Sequence, residues 1–407
     1  MEILPWGTLT GIRPAKVAEK LLASGNSEES VIEALVQNYQ AQPDKAALCI
    51  ETAKVALALK KTLNSRDVAL YVGIPFCPTR CAYCSFVSNS VERSYNLIEP
   101  FIKTLINEIE TLSGLVEKSD LSIISVYIGG GTPTSLSEND LETIMSALKK
   151  SFDFRNLREY TVEAGRSDTI SEKKLEIITQ LGANRICINP QSMSEDVLKK
   201  IGRNHSTEDV TNAVKLMRQA GKNLCLNMDI IAGLPGDTPG GFCKTLDRLL
   251  ELEPENITVH TLSLKKGSKL MLEKTAALPG EKPVIMSPTA PVAALSGNIG
   301  EMLDYASKRL RECGYAPYYV YRQKYISGGY ENTGWSLPGY EGIYNVCMME
   351  ELCTVLALGG GGVTKLVTTD GRIERVFNAK YPREYIMMTD KIKDKMGRVR
   401  EYAVSIL

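Results

Sequence analysis

Between Tyr71 and Phe86 the chain reads Tyr-Val-Gly-Ile-Pro-Phe-Cys-Pro-Thr-Arg-Cys-Ala-Tyr-Cys-Ser-Phe, which puts Cys77, Cys81 and Cys84, three of ten cysteines, within eight residues. Thiols crowded in this way point to a metal centre. Structural zinc closes with four ligands, usually as two pairs, and this loop offers three thiols with no fourth ligand nearby. A disulfide would leave one thiol over, and the chain shows no secretory signal. Three thiolates suit a four-iron, four-sulfur (4Fe–4S) cluster, in which they hold three irons and leave the fourth open to bind and reduce a ligand. That asymmetry makes the loop catalytic rather than structural.

The elements that must position this loop follow from periodicity. Val68–Ile74 reads as a short buried strand ended by Pro75, so the thiols leave a strand's carboxyl end, where α/β proteins place their chemistry. From there β-branched runs alternate with amphipathic helices. Strands are expected at Val68–Ile74, Ile123–Ile128, Glu159–Glu163, Asn184–Asn189, Leu224–Ile231 and Asn256–Leu262, with helices near 95–117, 138–150, 171–181, 194–221 (broken at Gly202) and 239–252. Six strands do not close an eight-stranded barrel, so the expected fold is α/β, an open (β/α)6 partial TIM barrel whose opening admits a large substrate. Residues 1–66 read as a helical segment with helices at Lys16–Ala23, Ser27–Tyr39 and Asp44–Leu63. The barrel takes 67–270, and 271–407 forms a C-terminal α+β domain covering the substrate, with Ala276–Pro291 as a surface linker.

Other strand ends carry polar groups. The second strand runs into Gly129-Gly-Gly-Thr-Pro133, where Gly130, Gly131 and Thr132 let backbone approach a ligand and offer it amides; a tight turn uses the same residues. Glu163, Gln191 and Asp229 close the next three strands, each readable alone as a capping residue but harder to dismiss as a series. Counting back in twos places Cys187 and Cys225 on the same inward face, where a free thiol behaves as a small hydrophobe.

Cys-x3-Cys-x2-Cys with Tyr83 before the last thiol resembles the cluster loop of the radical S-adenosylmethionine (SAM) enzymes. Tyr71, the cysteine loop, Gly-Gly-Gly-Thr-Pro, Glu163, Gln191, Arg203 and Asp229 further resemble, in order and spacing over residues 67–265, the oxygen-independent coproporphyrinogen III oxidase family. The Trp-Gly-Thr-Leu-Thr-Gly-Ile-Arg-Pro opening and the Gly-Ile-Tyr-Asn stretch look most like its HemZ-type dehydrogenase branch. The resemblance implies a 4Fe–4S cluster on Cys77, Cys81 and Cys84. It implies SAM held by Gly130, Gly131 and Thr132 at its amino group, Glu163 along its methionine, Arg203 at its carboxylate, Gln191 and Asp229 at the ribose, and Ser263 beside the adenine. Tyr71 belongs to the same motif as a catalytic-site residue.

The activity implied is oxidative decarboxylation of coproporphyrinogen III propionates to vinyl groups, giving protoporphyrinogen IX in haem biosynthesis, with an unidentified electron donor such as a flavodoxin or ferredoxin. A haem-binding chaperone on the same scaffold and a radical SAM enzyme with another substrate stay open. Two positions depart from the family's oxidases. Phe86 stands where they carry a further cysteine, and Ala164-Gly-Arg166 replaces the usual Asn-Pro.

Arg166 thereby adds a cation near the ligands, and Arg322 and Lys324, interleaved with Tyr315, Tyr318, Tyr319, Tyr321, Tyr325 and Tyr330, are candidate partners for substrate carboxylates. Those tyrosines either floor a flat tetrapyrrole or form a strand pair. A helix is expected from near Tyr344 through Cys347 and Cys353 to a turn at Leu358–Gly362 facing the site. Cys313, Cys347 and Cys353 read as buried thiols or, less simply, a second cluster. Trp6 and Arg13 either staple the helical segment to the barrel or reach a ligand. His205 neighbours the Ser206 helix cap or serves as a haem ligand; His260 sits on the sixth strand with its face undetermined. Lys plus Arg equals Asp plus Glu at 48 each, so no positive field draws nucleic acid. No apolar run reaches membrane-spanning length, and unpaired cysteines suit the reducing cytosol.

Overall fold

Every expected barrel strand is present. The first strands are β1 (Asp67–Ile74), β2 (Phe76–Cys77), β3 (Asn89–Ser90), β4 (Ser122–Gly130), β5 (Glu159–Glu163), β6 (Arg185–Cys187), β7 (Cys225–Ala232) and β8 (Asn256–Thr261). They are followed by β9 (Ala316–Tyr321), β10 (Asn332–Ser336), β11 (Thr354–Gly359), β12 (Val363–Val367) and β13 (Ile373–Phe377). The computed structural model describes residues 4–406 apart from 10, 12, 85, 87–88, 222, 264–267, 269, 271–298, 324–326 and 369–370. The expected linker at Ala276–Pro291, Lys324 and Tyr325 lie outside the described residues.

β1, β4, β5, β6, β7 and β8 pair in that order, all parallel. Helices Tyr95–Lys118, Glu138–Ser151, Glu172–Gln180, Thr207–Ala220 and Pro239–Leu250 make the crossovers, and the fourth crossover is split as expected, its first part being Glu195–Lys200 before Gly202. Caps written in the sequence start four of them. Ser137, Ser171, Ser206 and Thr238 each accept a backbone N–H of the first turn, and Ser206 and Asp209 form a full capping box.

Period-two alternation splits the sheet into two chemistries. Val68, Leu70, Val126, Val162, Leu226 and Val259 face the helices in one apolar core. The alternate residues Tyr71, Tyr127, Thr161, Glu163, Asn227, Asp229 and His260 form the inner face. Burying so many polar groups is costly unless they are paired or serve a ligand, which places the chemistry inside.

The C-terminal region extends both edges of this sheet. β11 pairs parallel with β1 and carries β12 and β13 beyond it, while β10 and β9 pair antiparallel onto β8. The tyrosine-rich segment is thus the strand pair, and two of its rings reach the interior. Tyr319 Oη lies 3.3 Å from Thr258 Oγ1 and Tyr321 Oη 3.4 Å from His260 Nδ1.

The helix expected from Tyr344 to Leu358 is corrected. Ile343–Glu350 is helical, Glu351 turns into the left-handed region at φ 54°, and the apolar run Val355–Leu358 is strand, drawn out by its pairing with β1. That short helix closes one end of the barrel, because Glu159 accepts the amides of Ile343 at 2.6 Å and Tyr344 at 3.2 Å and so caps it.

The N-terminal helices run Ala15–Ala23, Glu28–Tyr39 and Pro43–Lys60. Trp6 is fully buried and donates Nε1 to Glu331 Oε2 at 2.8 Å, beside a Lys45–Glu331 ion pair at 2.8 Å. Arg13 pairs with Glu351 at 2.8 Å and donates to the Met349 carbonyl. Both residues act as staples. No described helix is long and apolar enough to cross a membrane.

Candidate active site

The thiol loop is held from both sides. The amides of Gly131 and Thr132 donate to the carbonyls of Ile74 and Phe76 at 2.7 Å each, and Thr132 Oγ1 donates to Cys77 Sγ at 3.5 Å. On the far side Ala82 N donates to Ile201 O at 2.9 Å. A Cβ on Gly131 would stand 3.0 Å from Cys77 Sγ, so glycine is what lets the two loops meet. The amides of Gly131 and Thr132 are thus used by the fold itself. Cys77, Cys81 and Cys84 are reduced, partly buried thiols, and burial pushes Cys84 up to about 11. Among the described residues no three His, Cys, Asp or Glu side chains are set to grip a single metal ion.

Beside this loop, the carboxyl ends of β5 and β6 gather buried polar atoms. Gln191 adopts φ 69°, a left-handed conformation that strains a residue with a Cβ by about 1–3 kcal/mol and is characteristic of sites. Its backbone bridges to β7, with Gln191 N donating to Asp229 O at 2.9 Å and Ile231 N to Gln191 O at 3.0 Å. The side-chain Oε1 has no partner among the described residues, nor do Asn189 Oδ1 and Arg203 Nε. Arg203 donates through Nη1 to the carbonyls of Gly165, at 3.1 Å, and Asn189, and through Nη2 to Tyr83 Oη at 3.1 Å. Burial works against its charge, but Tyr83 and Cys81 outweigh it and raise its pKa.

Further inside, Tyr127 donates to Glu163 Oε1 at 3.0 Å and lies 4.0 Å from Cys187 Sγ. Burial, then the charge of Asp229, pushes Glu163 up to about 7 against the opposing pull of Tyr127 and the Gly130 amide. Asp229 goes the other way. Burial alone would raise it, yet His260, with Nε2 3.6 Å away, and the Asn227 amide at 2.9 Å hold it below the usual range. Two neighbouring carboxyls are thus pushed apart, a mark of working sites. Tyr344 stacks on Tyr127 at 4.5 Å between ring centres and on Tyr71 at 6.2 Å, and burial raises the Tyr71 phenol.

The two expected substrate cations are both engaged within the fold. Arg166 is 2% exposed, forms a two-bond fork with Asp168 at 3.0 and 2.8 Å, and donates Nη1 to Thr79 Oγ1 at 2.9 Å, so it ties strand end to thiol loop and offers no free charge. Arg322 lies by the N-terminal segment, donating to the carbonyls of Leu9 and of Gly329 at 3.1 Å with its guanidinium 5.7 Å over the Trp6 ring. Ser263 follows β8 and is partly buried. Cys347 and Cys353 are buried in the apolar packing behind Tyr344.

Residues 71–249 match the model of the radical SAM superfamily. HemZ of Bacillus subtilis, described as an oxygen-independent coproporphyrinogen-III oxidase-like protein, is 39% identical over 384 residues, 93% of this chain and 74% of that protein. The chain belongs to the radical SAM superfamily and, within it, to the oxygen-independent coproporphyrinogen III oxidase-like family. A haem chaperone, HemW of Lactococcus lactis, is 29% identical over 68% of this chain and 64% of its own length. The structure of coproporphyrinogen III oxidase (HemN) from Escherichia coli superposes with a TM-score of 0.60 over 82% of this chain and 72% of that one, at 20% identity, a likeness of fold.

The cofactors are those of the superfamily, a 4Fe–4S cluster and SAM, and the residues fit them. Three reduced thiols on one loop suit a cluster held by cysteine thiolates. Unpartnered donors and acceptors on Arg203, Asn189 and Gln191 sit beside it for a ligand with charges of both signs. Sequence reasoning missed Tyr127, which period-two counting back from Gly129 reaches, and the inward role of Tyr344, although the Gly-Ile-Tyr-Asn stretch that contains it stands out in the sequence.

Proposed function

We propose that this chain is a radical SAM oxidoreductase that decarboxylates the propionates of coproporphyrinogen III to vinyl groups. When bound, the cluster and SAM supply one-electron chemistry able to remove a hydrogen atom from an unactivated carbon. Cys77, Cys81 and Cys84 hold the cluster. Arg203 faces the SAM carboxylate, Gln191 and Asp229 the ribose, Ser263 the adenine, and Glu163 the methionine part, with Gly130, Gly131 and Thr132 shaping the wall. Tyr71, Tyr127 and Tyr344 line the chamber and keep water from the reacting carbon. A propionate whose β-carbon loses a hydrogen atom there releases carbon dioxide, and the remaining electron passes to an acceptor; two rounds give protoporphyrinogen IX. A flavodoxin or ferredoxin serves as reductant in a reducing cytosol.

The observation that carries this reading is the polar inner face, with Glu163 at the carboxyl end of β5 and Asp229 within β7. Anaerobic reconstitution with iron and sulfide, followed by mass analysis after incubation with SAM, reductant and coproporphyrinogen III, tests it. Vinyl product supports the proposal; SAM cleavage without vinyl product rejects the substrate. A haem chaperone is favoured instead by Phe86, 66% exposed where the family's oxidases carry a cysteine, and by the commitment of Arg166 and Arg322 elsewhere. Stoichiometric haem binding with no vinyl product would decide for it.

A further inference from the structure

His205 is 3% exposed, and neither ring nitrogen has a hydrogen-bond partner among the described residues. The helix cap beside it is formed without it, because Ser206 and Asp209 accept each other's amides and Glu195 accepts that of Thr207. Two arginines, Arg203 and Arg166, and two carboxylates, Asp168 and Asp209, act on it. Burial, then the charges of Arg203 and Arg166, hold the imidazole down to about 4, so the ring is neutral near pH 7 and keeps one N–H to donate.

The orphaned atoms are not scattered. Of thirteen buried side-chain polar atoms without a partner among the described residues, six belong to Ser167, Asn189, Gln191, Arg203 and His205. These lie on the loops that follow β5 and β6 and on the turn into helix Thr207–Ala220, which packs on the Ser167–Thr169 turn. Buried polar groups are nearly always paired, so this concentration marks where a ligand completes them. Arg203 Nε and the imidazole supply donors, Asn189 Oδ1 and Gln191 Oε1 acceptors. Such a set suits a zwitterion. Arg166 cannot share the work, since Asp168 and Thr79 take its donors.

We propose that His205 is a binding residue of the SAM pocket, donating an N–H to the carboxylate of the ligand's amino-acid end beside Arg203. This rests on the reading of the pocket as the SAM site. A neutral donor has an advantage over a second unpaired cation there, because it adds a hydrogen bond to the carboxylate without adding a charge that Arg203 would repel.

The test compares S-adenosylhomocysteine, which keeps the amino-acid end, with 5′-methylthioadenosine, which lacks it, by equilibrium titration of the reconstituted full chain. His205→Leu is expected to weaken S-adenosylhomocysteine about tenfold to a hundredfold, the range for a hydrogen bond to a charged group, and to leave methylthioadenosine unchanged. His205→Gln, which keeps an N–H donor, recovers most of the loss and carries the test if the leucine variant does not fold. Equal weakening of both ligands in the variants assigns His205 to packing and overturns the proposal, as does no weakening of either. A wild-type chain that binds neither ligand fails the SAM reading itself. Haem binding lost in His205→Leu with S-adenosylhomocysteine affinity intact overturns the proposal in favour of an axial ligand.

Discussion

The Tyr127 hydroxyl donates to one oxygen of Glu163 at 3.0 Å, and the other oxygen lies so close to Gly129 that a Cβ there would stand 2.6 Å from it. One residue holds the carboxylate and the other makes room for it. The two together set where Glu163 meets a ligand and how readily it ionises.

Binding of SAM's cationic methionine end is expected to strengthen as pH rises through about 7, where Glu163 ionises. Tyr127→Phe removes a hydrogen bond that favours the carboxylate, so this limb moves to higher pH. Titrations of SAM between about pH 5.5 and 8.5 check it, and an unmoved limb would detach Glu163 from the ligand.

Serine at Cys77, Cys81 or Cys84 leaves an iron without its protein ligand and abolishes the visible iron-sulfur absorption. Serine at Cys313, Cys347 or Cys353 leaves it unchanged. Full iron content in Cys81→Ser would reject the loop as the cluster site.

Arg166→Ala strands the Asp168 carboxylate and frees Thr79, which lowers stability by about 1–3 kcal/mol and loosens the thiol loop. Lysine does not restore it, because the fork needs two parallel N–H groups. Denaturant titration of the unreconstituted chain reads the loss. A selective rise in substrate KM with unchanged stability would return Arg166 to the role of a propionate contact.

Glu350 is 2% exposed and neither carboxylate oxygen has a partner among the described residues. Burial, then the charge of Glu19, pushes it up from 4.5 to about 7. Between those values the folded chain keeps a proton that the unfolded chain has released, so stability is full at low pH and falls as pH rises through the window. Glu350→Gln is expected to raise the melting temperature at pH 8, by the equivalent of about 1–3 kcal/mol, and not at pH 4.5. Equal effects at both pH values would exclude an ionised Glu350.

The barrel was readable in the sequence because its signals are local: short apolar runs, serine caps, a proline after β1 and thiols at ligand spacing. What escaped depends on partners distant in the chain. Arg166 and Arg322 look like spare cations until Thr79 and Leu9, both remote in sequence, are seen to hold them together with the nearby Asp168 and Gly329. Val355–Leu358 reads as the end of a helix, and only β1, far earlier in sequence, makes it a strand. The inner role of Tyr344 likewise rests on Glu159, which fixes the helix that carries it.

The pairing of β1 with β11 also orders events during synthesis. β4 is made soon after β1, but the neighbour on the other side arrives only when Thr354–Gly359 leaves the ribosome, so the strand feeding the thiol loop has an open edge for most of translation. Gly360 N then donates to Gly73 O at 2.9 Å, just ahead of the loop. The contacts that hold the thiol loop itself, to Gly131, Thr132 and Ile201, come from chain made before β11, so the loop can be assembled while the other edge of its own strand is still open.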